Sequence, residues 1–159
     1  MDPIALQTLV DEMREDYRVV SGAYQQAEAR FERHDPIAYE ACAFQLCRLY
    51  NAFEQMGLRI AKAFENNIDD DQGWHSASLN RLSISIEGVR PALLTTEIKA
   101  PLRELKAFRH VFVHAYELDL DPEKLRLLLK YARQVAETLP VLAGKFASAL
   151  RSERSADAG

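Results

Sequence analysis

The chain has 159 residues, of which 48% are hydrophobic and 28% are charged, and its formal net charge is -4 at pH 7. A chain of this length forms one domain with a substantial core, since such a domain buries roughly 70% of its unfolded surface. The net negative charge excludes general adhesion to nucleic acids or membrane surfaces, so any polyanion must be bound by a local basic patch.

The first residues and the cysteines indicate the compartment. The opening sequence MDPIALQTLVDEMRED carries acidic residues where a signal peptide has a basic end, and no stretch approaches the roughly 18 apolar residues of a membrane span. Cys42 and Cys47 form no CxxC or zinc spacing, which favours small core residues in a reducing compartment. We expect a cytoplasmic protein with no membrane contact and no cofactor.

Two long amphipathic helices are predicted at the start of the chain. The first runs from about Asp2 to Glu32, because its apolar residues recur at alternating steps of four and three. Residues 34 to 36 interrupt this pattern, which then resumes and continues to Phe64. Helices joined by so short a connection pack antiparallel.

The remaining sequence predicts three more helices. ENNIDDDQG, residues 65 to 73, is interpreted as a polar loop with capping residues, since its aspartates lack the spacing of a calcium-binding EF-hand. A short third helix spans about 73 to 85, a fourth begins near Thr95, and a fifth spans about 122 to 150 with a kink at Pro140. The sequence therefore predicts an all-α, up-down bundle of about five helices in one domain over 1–151, followed by a disordered tail over 152–159.

The fourth helix carries an unusual concentration of polar residues. On a helical projection its apolar side faces the core, while five basic or titratable residues fall within a sector of roughly 80°. These residues are Lys99, Arg103, Lys106, His110 and His114. The strip is either an ordinary solvated face or a binding surface for an anionic ligand.

Two further features of this helix bear on a site. His110 and His114 have the i, i+4 spacing of a metal site, but the acid of an HExxH pattern is missing, so no metal is expected. Arg109 and His114 lie about 140° apart on an ideal helix. They converge only if the helix loosens near HAYELDLDP or if a symmetric partner completes the site.

The motif formed by Arg109, four residues, His114, one residue and Tyr116 resembles the R-x4-H-x-Y motif of HEPN ribonuclease toxins. The resemblance is to the subgroup paired with minimal nucleotidyltransferase antitoxins, and it covers nearly the whole chain. Two long leading helices, a short third helix that begins with Trp74 and His75, and a long closing helix are similar to that family's layout.

The resemblance implies a toxin that is a metal-independent endoribonuclease and acts as a homodimer. Arg109 would stabilise the phosphate in the transition state and His114 would transfer protons, with His110 in support. Lys99, Arg103 and Lys106 would bind the RNA backbone. Tyr116 is the position at which, in this family, the partner enzyme attaches AMP.

Other polar residues have structural as well as functional interpretations. Asn51 and Glu54 either orient Arg109 or simply flank the apolar face of the second helix. Trp74 is interpreted as a core residue and His75 as a capping or surface residue. The alternative for the whole chain is a non-catalytic helical module that binds substrate for a nucleotidyltransferase, which has no need of both Arg109 and His114.

Overall fold

The computed structural model describes residues 1–65 and 71–159, with the side chains of residues 71, 72, 75 and 76 outside the description. The described chain is an all-α bundle, which confirms the predicted fold class. Its five helices are α1 (Pro3–Phe31), α2 (Pro36–Phe64), α3 (Asp71–Leu82), α4 (Thr96–His114) and α5 (Pro122–Asp157). The predicted loop after Phe64 lies mostly outside the described residues, including Asp69 and Asp70.

Three helices begin with the same dipeptide, an aspartate followed by a proline. The carboxylates of Asp2, Asp35 and Asp121 accept hydrogen bonds from backbone N–H groups in the first turns of α1, α2 and α5, at 3.2, 2.8 and 3.0 Å. The following proline needs no hydrogen-bond partner at the first helical position, and its fixed φ suits a helix. Local sequence therefore determines where these helices start.

The helices α1 and α2 pack antiparallel, as predicted. Near their short connection the rings of Phe31 and Tyr39 are 5.5 Å apart, and farther along the pair Arg59 Nε donates to Asp16 at 2.7 Å. α5 packs against α1, α2 and α4, and α4 also packs against α2. This arrangement brings the second half of α4 against the middle of α2.

The helix α3 ends at Leu82, earlier than the predicted position near residue 85. It ends there because the Leu82 carbonyl accepts hydrogen bonds from the N–H groups of Leu93 and Leu94, at 2.9 and 3.0 Å. Where α3 meets α2, Gly57 permits a close approach, since a Cβ atom at that position would lie 2.6 Å from Leu82 Cδ1 and 3.1 Å from Trp74 Cζ2.

The buried Arg90 holds the connection between α3 and α4. Its guanidinium donates to Glu65 Oε1 at 3.0 Å and to the carbonyl oxygens of Ile84 and Arg81, both at 3.1 Å. Arg81 also donates to Glu65, at 2.6 Å. Arg90, which no sequence motif indicates, ties the end of α2 to the chain after α3.

The fifth helix is longer than the predicted helix that ended at Leu150. α5 runs through Asp157 with Pro140 inside it, so residues 152 to 157 of the predicted disordered tail are helical. The hydroxyls of Ser152 and Ser155 donate to carbonyl oxygens one turn earlier, and no helix-breaking residue intervenes. Leu150 is nevertheless the last buried residue, and the domain boundary at 151 stays a prediction.

The two cysteines agree with a further prediction. Cys42 and Cys47 are free and buried, and burial raises the pKa of the Cys47 thiol to about 11 even though Arg109 lowers it. Both are therefore core residues, as predicted. No helix in the described part of the chain is both long enough and apolar enough to span a membrane.

Candidate active site

Arg109 reaches across from α4 to two polar residues of α2. Its Nη1 donates to Asn51 Oδ1 at 2.9 Å and to Glu54 Oε1 at 3.0 Å, while Nη2 donates to Glu54 Oε2 at 3.3 Å. The Arg109 side chain is 19% exposed and that of Glu54 is 8% exposed. Asn51 and Glu54 therefore contact Arg109, and a two-pronged charged pair of this kind fixes both position and orientation.

The ring of Tyr50, a residue outside the predicted site, lies beneath the same guanidinium. The Arg109 Cζ atom is 4.6 Å from the Tyr50 ring centroid, within the range of a cation–π contact. Tyr50 is fully buried, and burial raises its pKa, with Glu54 raising it further. Tyr50 and Glu54 are one helical turn apart, so their shared face on α2 was the available signal.

Lys106 adds positive charge beside this cluster. Partial burial lowers its pKa, Glu54 opposes that effect, and Arg109 and Arg103 lower the pKa further. These interactions show that Lys106 lies in the electrostatic field of the Arg109–Glu54 pair. Because Glu54 offsets the charge of Arg109, the net positive charge near the pair comes from Lys106 and Arg103.

The two histidines of α4 are adjacent and exposed to solvent. The ring centroids of His110 and His114 are 4.7 Å apart, as expected for neighbours one turn apart. Among the described residues, no group of three or more His, Cys, Asp or Glu side chains is arranged to hold a metal ion.

The helix α4 remains regular as far as His114, and the chain becomes extended at Ala115. A loosening of the helix near HAYELDLDP would have brought Arg109 and His114 together. The helix ends only after His114, so the two side chains keep their angular separation of about 140°. Within one chain, Arg109 points to α2 while His114 lies exposed beside His110.

The other predicted site residues lie around this centre. Arg103 is exposed and Lys99 is half-buried, on the same side of α4 as the histidines. Tyr116, in the loop after α4, is completely exposed. Trp74 is buried, as predicted, while the side chain of His75 lies outside the described residues.

Apolar residues are exposed near Arg109 on both contributing helices. Phe44 lies two helical turns before Asn51, nearly on the same face of α2, and is 58% exposed. Val113 lies one turn after Arg109 on α4 and is 63% exposed. The surface next to the Arg109 cluster is therefore partly apolar.

A family model described as HepT-like protein matches residues 41–150, which include all of the residues discussed at this site. No curated protein and no solved structure matches the chain at a significant level. The family match spans more than half of the chain and confirms the resemblance drawn from the motif. The chain belongs to the HepT-like family, which is a family of HEPN-type toxins that act in toxin–antitoxin pairs.

Proposed function

We propose that this toxin is a metal-independent endoribonuclease in which Arg109 and His114 are the catalytic residues. The observation that carries the proposal is the immobilised guanidinium of Arg109. Asn51, Glu54 and Tyr50 hold it from three sides. Preorganised donors of this kind stabilise charge in a transition state because they need not reorganise during the reaction.

The chemistry follows from the two side chains. In RNA cleavage the 2'-hydroxyl attacks the adjacent phosphorus, the bond to the 5'-oxygen breaks, and a cyclic phosphate and a 5'-hydroxyl are formed. Arg109 has five N–H donors, of which the bonds to Asn51 and Glu54 engage three, so donors remain for a phosphate oxygen. His114 would accept the proton of the 2'-hydroxyl or protonate the leaving oxygen, a contribution of about 10²- to 10⁴-fold.

The proposed nuclease is a homodimer with a composite site. Arg109 and His114 diverge on a helix that is regular between them, so His114 of one copy would act with Arg109 of the other. The exposed Phe44 and Val113 beside the Arg109 cluster give this face an apolar surface to bury. Lys99, Arg103 and Lys106 would bind the RNA backbone, and His110 would support His114 or the substrate.

The proposed control is adenylylation of Tyr116 by a nucleotidyltransferase partner. The tyrosine oxygen would attack the α-phosphorus of a nucleoside triphosphate, pyrophosphate would leave, and the phenolic proton would be lost. Tyr116 is completely exposed and stands two residues after His114. AMP at this position would add bulk and negative charge beside the residues that are proposed to bind the RNA phosphate.

Cleavage of an RNA pool by purified protein tests the catalytic proposal. We expect Arg109→Ala and His114→Ala each to lose activity by at least about 10²-fold while retaining the helical circular dichroism of the wild type. EDTA should leave the wild-type rate unchanged. Cleavage by either variant at the wild-type rate would contradict the proposal. Loss of activity in EDTA would point to a metal at His110 and His114.

An equimolar mixture of the two inactive variants tests the composite site. If each site uses Arg109 from one copy and His114 from the other, mixed dimers contain one intact site and regain part of the wild-type activity. An inactive mixture, with dimer exchange verified by mass spectrometry, would show that both residues act from the same copy.

A further inference from the structure

An open cavity lies between the second half of α4, the loop from 115 to 121 and the first turn of α5. Its volume is about 210 Å³. Ala107 and five large apolar residues line it, the five being Phe108, Val111, Leu118, Leu120 and Leu125. Val111 and Leu118 are 52% and 40% exposed, although large apolar side chains are most often buried.

The cavity has the size of one large side chain. An engineered apolar protein cavity of about 150 Å³ admits benzene, so a space of this volume takes the side chain of a leucine, methionine or phenylalanine. The apolar residues that line the cavity offer few hydrogen-bond partners to a polar ligand. The shape and lining favour an apolar anchor residue of another protein.

The rim of the cavity is acidic. Glu104, Asp119 and Asp121 line it, and the segment from Ala115 to Glu123 contains four acids and no basic residue. Lys124 also lines the cavity, but it pairs with Glu104 at 3.8 Å, and so does not reverse this charge. An occupant whose anchor is flanked by lysine or arginine matches this rim, whereas a nucleic acid would be repelled.

The helix α4 separates this cavity from the cationic strip. On a helical projection the cavity residues 104, 107, 108 and 111 centre about 110° away from the strip of Lys99, Arg103, Lys106, His110 and His114. A protein could thus occupy the cavity without covering the whole of the strip.

The cavity also adjoins the residue that the partner is proposed to modify. Leu118 follows Tyr116 by two residues, and two residues of chain span at most about 7 Å. We propose that the cavity is the docking site of the antitoxin partner, which inserts an apolar side chain flanked by basic residues and thereby brings its active centre to Tyr116. This inference rests on the proposed function in taking the partner to be the enzyme that modifies Tyr116.

Binding of a purified minimal nucleotidyltransferase of the antitoxin type tests the inference. Val111→Arg fills the cavity and reverses its charge preference, and we expect it to weaken binding at least tenfold. Asp119→Lys should also weaken binding, and its difference from the wild type should be smaller at high salt. The matched control is Val141→Arg on α5, since Val141 is 56% exposed and does not line this cavity. It should bind within twofold of the wild type.

The outcomes separate this inference from the proposed function. Wild-type affinity and wild-type AMP transfer in both Val111→Arg and Asp119→Lys would overturn the docking site while leaving Tyr116 as the modified residue. Weakened binding of Val111→Arg without any AMP on wild-type Tyr116 would support the docking site and contradict the proposed control. Failure of the nucleotidyltransferase to bind the wild type would overturn the docking site. A change of oligomeric state in Val111→Arg would overturn it as well. RNA cleavage is measured separately and does not depend on either result.

Discussion

The guanidinium of Arg109 and the carboxylate of Glu54 form a two-pronged ion pair, with N to O distances of 3.0 and 3.3 Å. The pair joins α4 to α2 and connects residues that are 55 positions apart in the sequence. Both side chains are largely buried, and the ion pair compensates part of the hydration that each has lost. Replacing one partner alone should therefore change the geometry of the other.

The first prediction concerns Glu54→Gln, which keeps the shape of the side chain but removes its charge. Arg109 loses its orientation, and a displacement of about 1 Å at a catalytic group costs about 10²-fold in rate. We expect kcat for RNA cleavage to fall about tenfold to hundredfold with a smaller change in KM. The measurement is steady-state cleavage of a fluorogenic RNA, together with urea unfolding to determine the folded fraction.

The control for this prediction is Asp16→Asn, which breaks another ion pair between helices. Arg59 Nε donates to Asp16 at 2.7 Å, and the Asp16 side chain is only 12% exposed, so the loss of stability should be of a similar kind. Activity per folded molecule should stay unchanged in this variant. An equal loss of activity in both variants would mean that Glu54 acts only on stability.

The second prediction concerns the aromatic ring beneath Arg109. Tyr50→Phe retains the ring and should cleave RNA at close to the wild-type rate. Tyr50→Leu removes the cation–π contact, and we expect kcat to fall about tenfold, since such a contact in a largely buried site stabilises by about 1–2 kcal/mol. Equal rates in the two variants, measured on samples of matched folded fraction, would show that the ring of Tyr50 does not contribute to cleavage.

The third prediction concerns assembly. Phe44 is exposed on the face of α2 that carries Asn51, and Phe44→Glu should convert the proposed dimer to an inactive monomer. Ile4→Glu is the control, because Ile4 is 76% exposed on α1 and should tolerate the change. Light scattering at micromolar concentration distinguishes the species, and an active dimer in Phe44→Glu would contradict the prediction.

The fourth prediction concerns inhibition by the partner. Tyr116→Phe lacks the attacking oxygen, so it should remain an active nuclease that the nucleotidyltransferase does not adenylylate. Tyr131→Phe, a change at a partly buried tyrosine of α5, should still accept AMP. Intact-mass spectrometry after incubation with the enzyme and ATP is the measurement. AMP on Tyr116→Phe would show that another residue is modified.

The fifth prediction concerns the junction of α2 and α3. In Gly57→Ala the new Cβ atom would meet the buried side chains of Leu82 and Trp74, which have little room to move. The free energy of unfolding should fall by about 1–3 kcal/mol, as is typical of overpacking. In Gly144→Ala, within α5, the new Cβ has no atom within 4 Å apart from its own stretch of helix, and the change should stabilise by about 0.4–1 kcal/mol. Urea denaturation measures both, and a neutral Gly57→Ala would show that α3 shifts to make room.

The sequence predicted the helices well because local signals determine them. Apolar spacing indicated which segments are helical, and the structure shows that the dipeptides Asp35-Pro36 and Asp121-Pro122 lie at two of the starts. The errors occurred at helix ends that depend on distant groups or lack a breaker. The end of α3 depends on hydrogen bonds from Leu93 and Leu94, which no local pattern announces.

The site was only partly accessible from the sequence. The motif indicated Arg109 and His114 as candidates, and the flank of α2 brought Asn51 and Glu54 into consideration. The contact of Asn51 and Glu54 with Arg109 depends on how α4 packs on α2, which helical periodicity does not determine. Tyr50 was overlooked because a buried tyrosine on an apolar face has the pattern of an ordinary core residue.

The separation of Arg109 and Glu54 along the chain has a consequence for a toxin made on ribosomes. The ion pair requires α2 and α4 together, so the proposed site does not exist until the segment through His114 has been synthesised and has folded onto α2. A composite site also requires two completed chains to meet, which makes its formation depend on concentration. If the site is composite, the proposed nuclease acts on RNA only after two chains have met, which leaves an interval in which the antitoxin can act on newly made monomers.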